Sequence, residues 1–459
     1  MAKPASLARM CTYCFGMDSY SHHTCKGDLS MVKPFLSVGV DVGADFSFMS
    51  VALPTQELLG KPFKIVHIET SSLSGAVSCI RKAEELNSLK ARIVLESTGI
   101  YHIPLFCYFK EAGFDVIVIN PLISYSSRNF SIRKVHSDKL DSKKLALLGL
   151  NPNLKTSIMP VELVLNIRGL VREYYSLVDN RVAYTLKLLG VLREAFPQYL
   201  GVFSKVTGTA ALMVLEKYTL PENILAADPD ALAADIAKVA RRKVSTISGQ
   251  RDRLIAAAKA AQSFGRALSC HATLIRLYVG IIKGFNEAVA GILRQMTTIV
   301  LDNEHEPFIQ QIRLLQTIFG VGFLSAVTLM VEIGDFNAFQ KPKQLPAYFG
   351  IDPEVKQSGN FKGTRVKMSK RGSSLARRIL YMMALSAVSN YKNGLPKNPA
   401  LQAYYLEKCR SKAKNVALGA IMHKLCNIIF AMLRDNKPFE MIWPEEHCRR
   451  RDALKNTAA

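Results

Sequence analysis

The sequence predicts an α/β domain followed by an all-α remainder, and three observations carry that expectation. From Phe35 short apolar runs alternate with polar residues in the period of strands, with helical stretches between them. From about Pro160 apolar residues recur three and four apart, the spacing of packed helices. From Ile312 glycine-punctuated helices lead into a basic, polar loop.

The elements follow in order. "FLSVGVDVG", "FMSVALP" and "FKIVHIE" read as three strands with short breaks that suit hairpins. A helix is predicted from Ser74 to Leu86, then "ARIVLEST" as a strand, and "YHIPLFCYFKEAG" as a helix closed by Gly113. "FDVIVIN" is a strand stopped by Pro121, and a last helix opens near Ser137 or Asp138. Three strands, helix, strand, helix, strand, helix is the order of the ribonuclease H-like fold, in which an antiparallel meander precedes parallel crossover units.

Beyond it, Leu163, Ile167, Leu170, Tyr174, Leu177, Arg181, Tyr184, Leu188 and Val191 form a heptad seam with one polar interruption. The spacing resumes at Val244, Ile247, Arg251, Leu254, Ala258 and Ala261, and again at Leu274, Tyr278, Ile281, Phe285, Ala288 and Ile292. Periodicity does not say whether the chain's own helices or those of a second copy fill these seams.

Across 459 residues, 60 Lys and Arg against 37 Asp and Glu leave a formal charge of +23, which favours a polyanionic partner, nucleic acid first among them. With 49% apolar residues the chain is globular. The start, "MAKPASLARMCTYCFGMDSY", lacks the apolar core of a secretory signal, and nine cysteines, mostly within apolar runs, fit a reducing cytosol. No lipidation signal or basic amphipathic anchor is evident, so no membrane partner is expected and the location is cytoplasmic. Leu314–Val331 is uncharged but barely long enough for a span, and reads as buried helices around a turn.

The chemistry begins with carboxylates. Asp41 interrupts the apolar strand "VGVDVG", and a charge there is costly without a partner. Glu96 ends the fourth strand, which the proposed topology sets beside the first. Asp138 and Asp141, one turn apart among Lys139, Lys143 and Lys144, open the helix that packs across those strand ends. Each acid alone has an ordinary explanation: a turn residue, a partner for Arg92, a helix cap. Together they form an oxygen-only set suited to Mg²⁺ or Mn²⁺, with the three lysines facing DNA or solvent.

Ile318-Phe319-Gly320-Val321-Gly322 resembles a helix-hairpin-helix turn, in which Gly320 and Gly322 let backbone N–H groups approach a phosphate; a tight turn inside a core is the plain alternative. Ser358 follows in "KQSG", ahead of Lys362, Arg365, Lys367, Lys370, Arg371, Arg377 and Arg378. By itself Ser358 is a turn residue and the basic run a solvated or phosphate-binding loop.

"VGVDVG", "VLESTGIYH", "DKLDSKKLALL", "IFGVGFLSAVTLMVEIGDF", "LPAYFGIDPEVKQSG" and "SKRGSSLARRIL", in this order, resemble the insertion sequence 110 family of bacterial DEDD transposases. The resemblance covers roughly Lys33–Leu150 and Leu314–Ala384. It implies a RuvC-like domain whose four acids fall on Asp41, Glu96, Asp138 and Asp141, and a nucleophilic serine at Ser358. It further implies strand exchange on element ends and target DNA through a serine–phosphate intermediate, a structured guide RNA, and acids and serine supplied by different protomers. The heptad seams make an interface plausible and favour a homo-oligomer, dimer or tetramer. A bacterial, nucleoid-associated location follows from the same resemblance.

The expected domains are 1–30, an extension that is disordered or lies upstream of a true start at Met31; 31–155, RuvC-like and catalytic; 156–310, a helical coiled-coil linker for oligomerisation; 311–440, the transposase domain with the serine; and 441–459, a basic tail. Cys11, Cys14, His22, His23 and Cys25 have zinc-ligand chemistry, but "SHHTC" has no recognisable knuckle and Zn²⁺ is not expected. Two other functions stay open: a Holliday-junction-type endonuclease using metal-activated water, which needs no serine, and a non-catalytic nucleic-acid-binding protein, which needs no acidic quartet.

Overall fold

Alternation in "LSVGVDV" puts Val38 and Val40 on one face of a strand and Ser37, Gly39 and Asp41 on the other, and the structure uses the two faces differently. This computed structural model describes residues 34–97, 100–119, 137–152, 154, 162–353, 357–358, 361–362, 367–443, 445–446 and 449, with backbone alone at 357–358 and 361–362. The cysteines and histidines of the N-terminal extension, together with Arg365, lie outside them. The chain divides into two units, Met1–Pro160 and Val161–Ala459. The first is mixed α/β and the second mostly helical.

The first unit runs β1 (Leu36–Val42), β2 (Phe46–Ala52), β3 (Leu58–Val66), α1 (Thr70–Asn87), β4 (Ala91–Glu96), α2 (His102–Glu111), β5 (Asp115–Ile119) and α3 (Asp138–Gly149). The sheet order is β3-β2-β1-β4-β5; β1 pairs antiparallel with β2 and parallel with β4, as expected of the first and fourth strands. β3 begins at Leu58, ahead of the expected Phe63, because its half-exposed residues pair with β2 without showing an apolar period. α1 likewise starts four residues early, over the polar stretch "TSSL".

Val38 and Val40 pack against Ala76 and Ile80 of α1 and Leu105 and Phe109 of α2. The opposite face lies under α3. A Cβ on Gly39 would stand 2.1 Å from the Ala146 nitrogen, so glycine lets the helix backbone touch the strand, and one on Gly149 would stand 2.2 Å from Ser37 Oγ, so glycine there makes room for that side chain. Ser50 of β2 and Ser142 of α3 share a buried hydrogen bond of 2.8 Å.

In the second unit two 34-residue helices, α4 (Glu162–Ala195) and α9 (Ser269–Asp302), pack along one another. They run antiparallel: Tyr184 meets Tyr278 and Phe285, while Ile167 and Val171 share a core with Met296 and Val300. The polar interruption at Arg181 is answered across the seam, where its guanidinium donates to Asn286 Oδ1 at 2.8 Å. The chain's own helix therefore fills the first seam. The buried stripe of α9 is Ile275, Val279, Ile282 and Val289, one residue past the expected Leu274, Tyr278, Ile281 and Ala288.

Between the long helices, α5 (Thr209–Lys217), α6 (Pro221–Ala226), α7 (Pro229–Ala240) and α8 (Ser248–Ser263) build a separate core on Leu188, Leu192 and Ile275. Leu254, Ala258 and Ala261 of the second seam are buried there, while Val244 is exposed. The other end carries α10 (Pro307–Gln316), α11 (Phe323–Ile333), α12 (Gln344–Phe349), the short strands β6 (Gln357–Ser358) and β7 (Phe361–Lys362), α13 (Ser374–Ala387), α14 (Pro399–Cys409) and α15 (Lys414–Asp435). The apolar stretch Leu314–Val331 is broken by the turn between α10 and α11, as expected. α15 is long and apolar enough to cross a membrane, yet its Ile421, Leu425, Cys426, Ile429 and Phe430 are buried in this core.

Candidate catalytic and nucleic-acid-binding sites

Register brings the first two acids together. Val40 pairs with Leu95 at the last rung of the parallel β1–β4 ladder, and Asp41 and Glu96 each follow it by one residue. By alternation both belong to the face that α3 covers, the face of Gly39 and Val94. Asp41 is half-buried and Glu96 buried.

The third and fourth acids open α3. Its cap is Ser137, whose Oγ accepts from the Leu140 nitrogen, and Asp138 and Asp141 fill the first turn. There the positive end of the helix favours carboxylates, a source of compensation that residue spacing alone does not reveal. Asp138 is exposed and Asp141 buried. Lys144 does not face away: its Nζ donates to Asp141 Oδ1 at 3.1 Å. Lys139 lies 5.5 Å over the Phe48 ring.

The donor chemistry of the four acids fits a hard divalent cation. The cage does not stand ready: among the described residues no three His, Cys, Asp or Glu side chains are grouped to hold a metal ion. Strand register gathers Asp41 and Glu96, while Asp141 is engaged by Lys144.

The serine segment is a hairpin arm. Ser358 pairs with Phe361 and Gln357 with Lys362, and below them Pro353 bridges Met368. Ser369 Oγ donates to Asp352 Oδ1 at 2.6 Å at the root. The two limbs are pressed together at Gly350 and Gly372, where a Cβ would come within 2.4 Å of the Arg371 nitrogen and 1.9 Å of the Tyr348 oxygen. His423 of α15 lies near this root; burial and then Lys424 push its pKa down, and Asp352 acts the other way.

The basic run divides into two kinds. Lys367, Lys370 and Arg371 are exposed. Arg377 instead donates to the Phe349 and Gly372 carbonyls at 3.0 and 2.6 Å, and Arg378 donates to Asp179 at 2.9 Å beside the Tyr175 ring. In the α10–α11 turn Gly320 has φ +85° and backs onto Ser386 Oγ, which leaves no room for a Cβ. Gly322 is the N-cap of α11 with open space around it and no side-chain cap.

Residues 38–197 match a DEDD-type family model described as a transposase, and residues 312–406 match the model of the transposase IS116/IS110/IS902 family. Three relatives are similar over shorter stretches. The pilin gene-inverting protein of Moraxella bovis is 33% identical over 128 residues, 28% of this chain and 38% of that protein. The transposase for insertion sequence element IS1111A of Coxiella burnetii is 32% identical over 119 residues, 26% of this chain and 32% of its own length. An insertion element IS110 protein of Streptomyces coelicolor is 28% identical over 133 residues, 28% of this chain and 31% of that protein. The chain thus spans less than two-fifths of the length of these relatives.

Proposed function

The chain belongs to the IS116/IS110/IS902 transposase family, and on that premise we propose that it cuts and rejoins the DNA strands of an insertion sequence through a Ser358–phosphate intermediate. The observation that carries the reading is the β1–β4 register, which sets Asp41 beside Glu96 under the helix that opens with Asp138 and Asp141. We read the first unit as ribonuclease H-like, since its sheet order and its acid positions both suit that fold.

Asp41, Glu96, Asp138 and Asp141 are the residues that would hold Mg²⁺ or Mn²⁺. Such an ion, when bound, neutralises charge at the reacting phosphodiester. Ser358 Oγ bonds to phosphorus as the bond from phosphorus to the neighbouring sugar oxygen breaks, and that oxygen leaves with a proton. The phosphodiester energy is kept in the protein–DNA ester, so the strand rejoins without ATP. Exposed Lys367, Lys370 and Arg371 neutralise backbone phosphates, with Lys362 and Arg365 assigned the same role. The open helix start at Gly322 is assigned to a phosphate. A structured guide RNA and a homo-oligomeric assembly, dimer or tetramer, belong to the same reading.

The test is a covalent one. Wild-type protein with plasmid DNA carrying the element and its flanks should give a DNA-linked band that survives denaturation, and Ser358→Ala should not. Mixing Asp141→Asn with Ser358→Ala protein should restore activity if acids and serine come from different protomers. Normal cutting by Ser358→Ala would instead favour a Holliday-junction-type nuclease that uses activated water.

A further inference from the structure

We propose that a cavity at the carboxyl end of β1 and β4 is a socket for an unpaired nucleobase of the DNA strand that the acids engage. The inference rests on the DNA-cutting reading above. The cavity has a volume of about 410 Å³, within the range of small-ligand sites. Its wall is drawn from separate segments: Ala44 after β1, His67 after β3, Leu73 of α1, Tyr101 ahead of α2, and Pro104 and Tyr108 within α2.

Its position is fixed by the sheet. Ala44 follows Asp41 by three residues and Tyr101 follows Glu96 by five, and the two strands are parallel. Both segments therefore emerge at the end of the sheet where the acids stand, the crevice in which open α/β sheets receive ligands. The cavity lies on the side of α1 and α2 and the acids on the side of α3. The base it takes thus belongs to a nucleotide neighbouring the reacting phosphate.

Its chemistry selects a flat, neutral, aromatic ligand. Among the described residues no Asp, Glu, Lys or Arg lines it, which does not suit a phosphate. His67 is held as a wall: Nδ1 donates to the Ala44 carbonyl at 3.1 Å and Nε2 accepts from the Ser47 hydroxyl at 2.8 Å. With both ring nitrogens engaged, the imidazole offers a face for stacking. Tyr101 remains 45% exposed at the rim, an aromatic surface left open. Bases stack on such side chains without sequence preference.

The test compares the full chain's affinity for oligothymidylate and for an abasic oligonucleotide of equal length. Wild type should prefer the base-bearing strand. Tyr101→Ala should weaken oligothymidylate binding about fivefold or more while leaving the abasic strand unchanged, and Tyr101→Trp should keep the preference. A 5-iodouracil oligonucleotide should photo-cross-link to Tyr101 or Tyr108. Equal loss on both strands, no loss on either, or cross-links that map elsewhere overturn the socket and leave the transposase reading standing. Binding of neither strand overturns both.

Discussion

Lys144 Nζ lies 3.1 Å from Asp141 Oδ1, one turn along the same helix, so a carboxylate assigned to a metal already holds an ammonium partner. A cation that takes Asp141 competes with that ammonium for the carboxylate's charge. Lys144→Gln is therefore expected to lower the Mg²⁺ or Mn²⁺ concentration for half-maximal cleavage about two- to fivefold, the worth of a partly exposed ion pair. Mn²⁺ titration calorimetry should show the same tightening. Asp141→Asn should lose cleavage and keep DNA binding, and undiminished cleavage in excess EDTA would remove the metal from the account.

Gly39→Ala should be the most damaging small change in the first unit. The added Cβ meets backbone atoms, the Ala146 nitrogen at 2.1 Å and the Ser142 oxygen at 2.4 Å, which cannot swing aside. A loss of about 1–3 kcal/mol or more is expected from denaturant midpoints. Gly60→Ala, where a Cβ finds open space but φ is +68°, should cost less.

The basic run should separate by partner. Lys370→Ala and Arg371→Ala should weaken DNA binding and each reduce the log–log salt slope by about one unit. Arg377→Ala should lower the melting temperature, since two backbone carbonyls lose their donor. A salt slope that falls with Arg377→Ala at unchanged stability would contradict this division.

His423 sets a pH dependence. Its folded pKa is depressed below the ordinary 6.5, chiefly by burial and then by Lys424. The unfolded chain thus binds a proton more readily. The neutral ring's contribution is full above pH 6.5 and declines as pH falls through that value toward the depressed folded one. Denaturant midpoints of wild type should drop from pH 8 to pH 5 more steeply than those of His423→Asn; parallel curves would exclude the effect.

Much of this was legible in the sequence because the informative signals are local. A charge inside "VGVDVG" stands out against its neighbours, and alternation fixes its face. The Lys144–Asp141 bond was within reach of spacing alone, yet three lysines competed for that role. The Phe349 partner of Arg377 and the Asp179 partner of Arg378 lie 28 and 199 residues away and leave no trace in the basic run itself. The aromatic cavity is drawn from scattered segments, none of which is unusual alone. Heptad spacing marked Leu188 and Ile167 correctly but carried no label for the helix opposite.

The antiparallel pair of 34-residue helices makes the second unit a gauge as well as a scaffold. Each helix is roughly 50 Å long and joins two apolar cores that it holds apart. One residue inserted into a single helix would turn everything beyond it by roughly 100° and strip Arg181 of its Asn286 partner. Seven residues inserted into both would carry the far core outward by roughly 10 Å with nearly the same faces still meeting. The spacing of those cores can therefore change in whole-heptad increments while the packing at either end is left as it was.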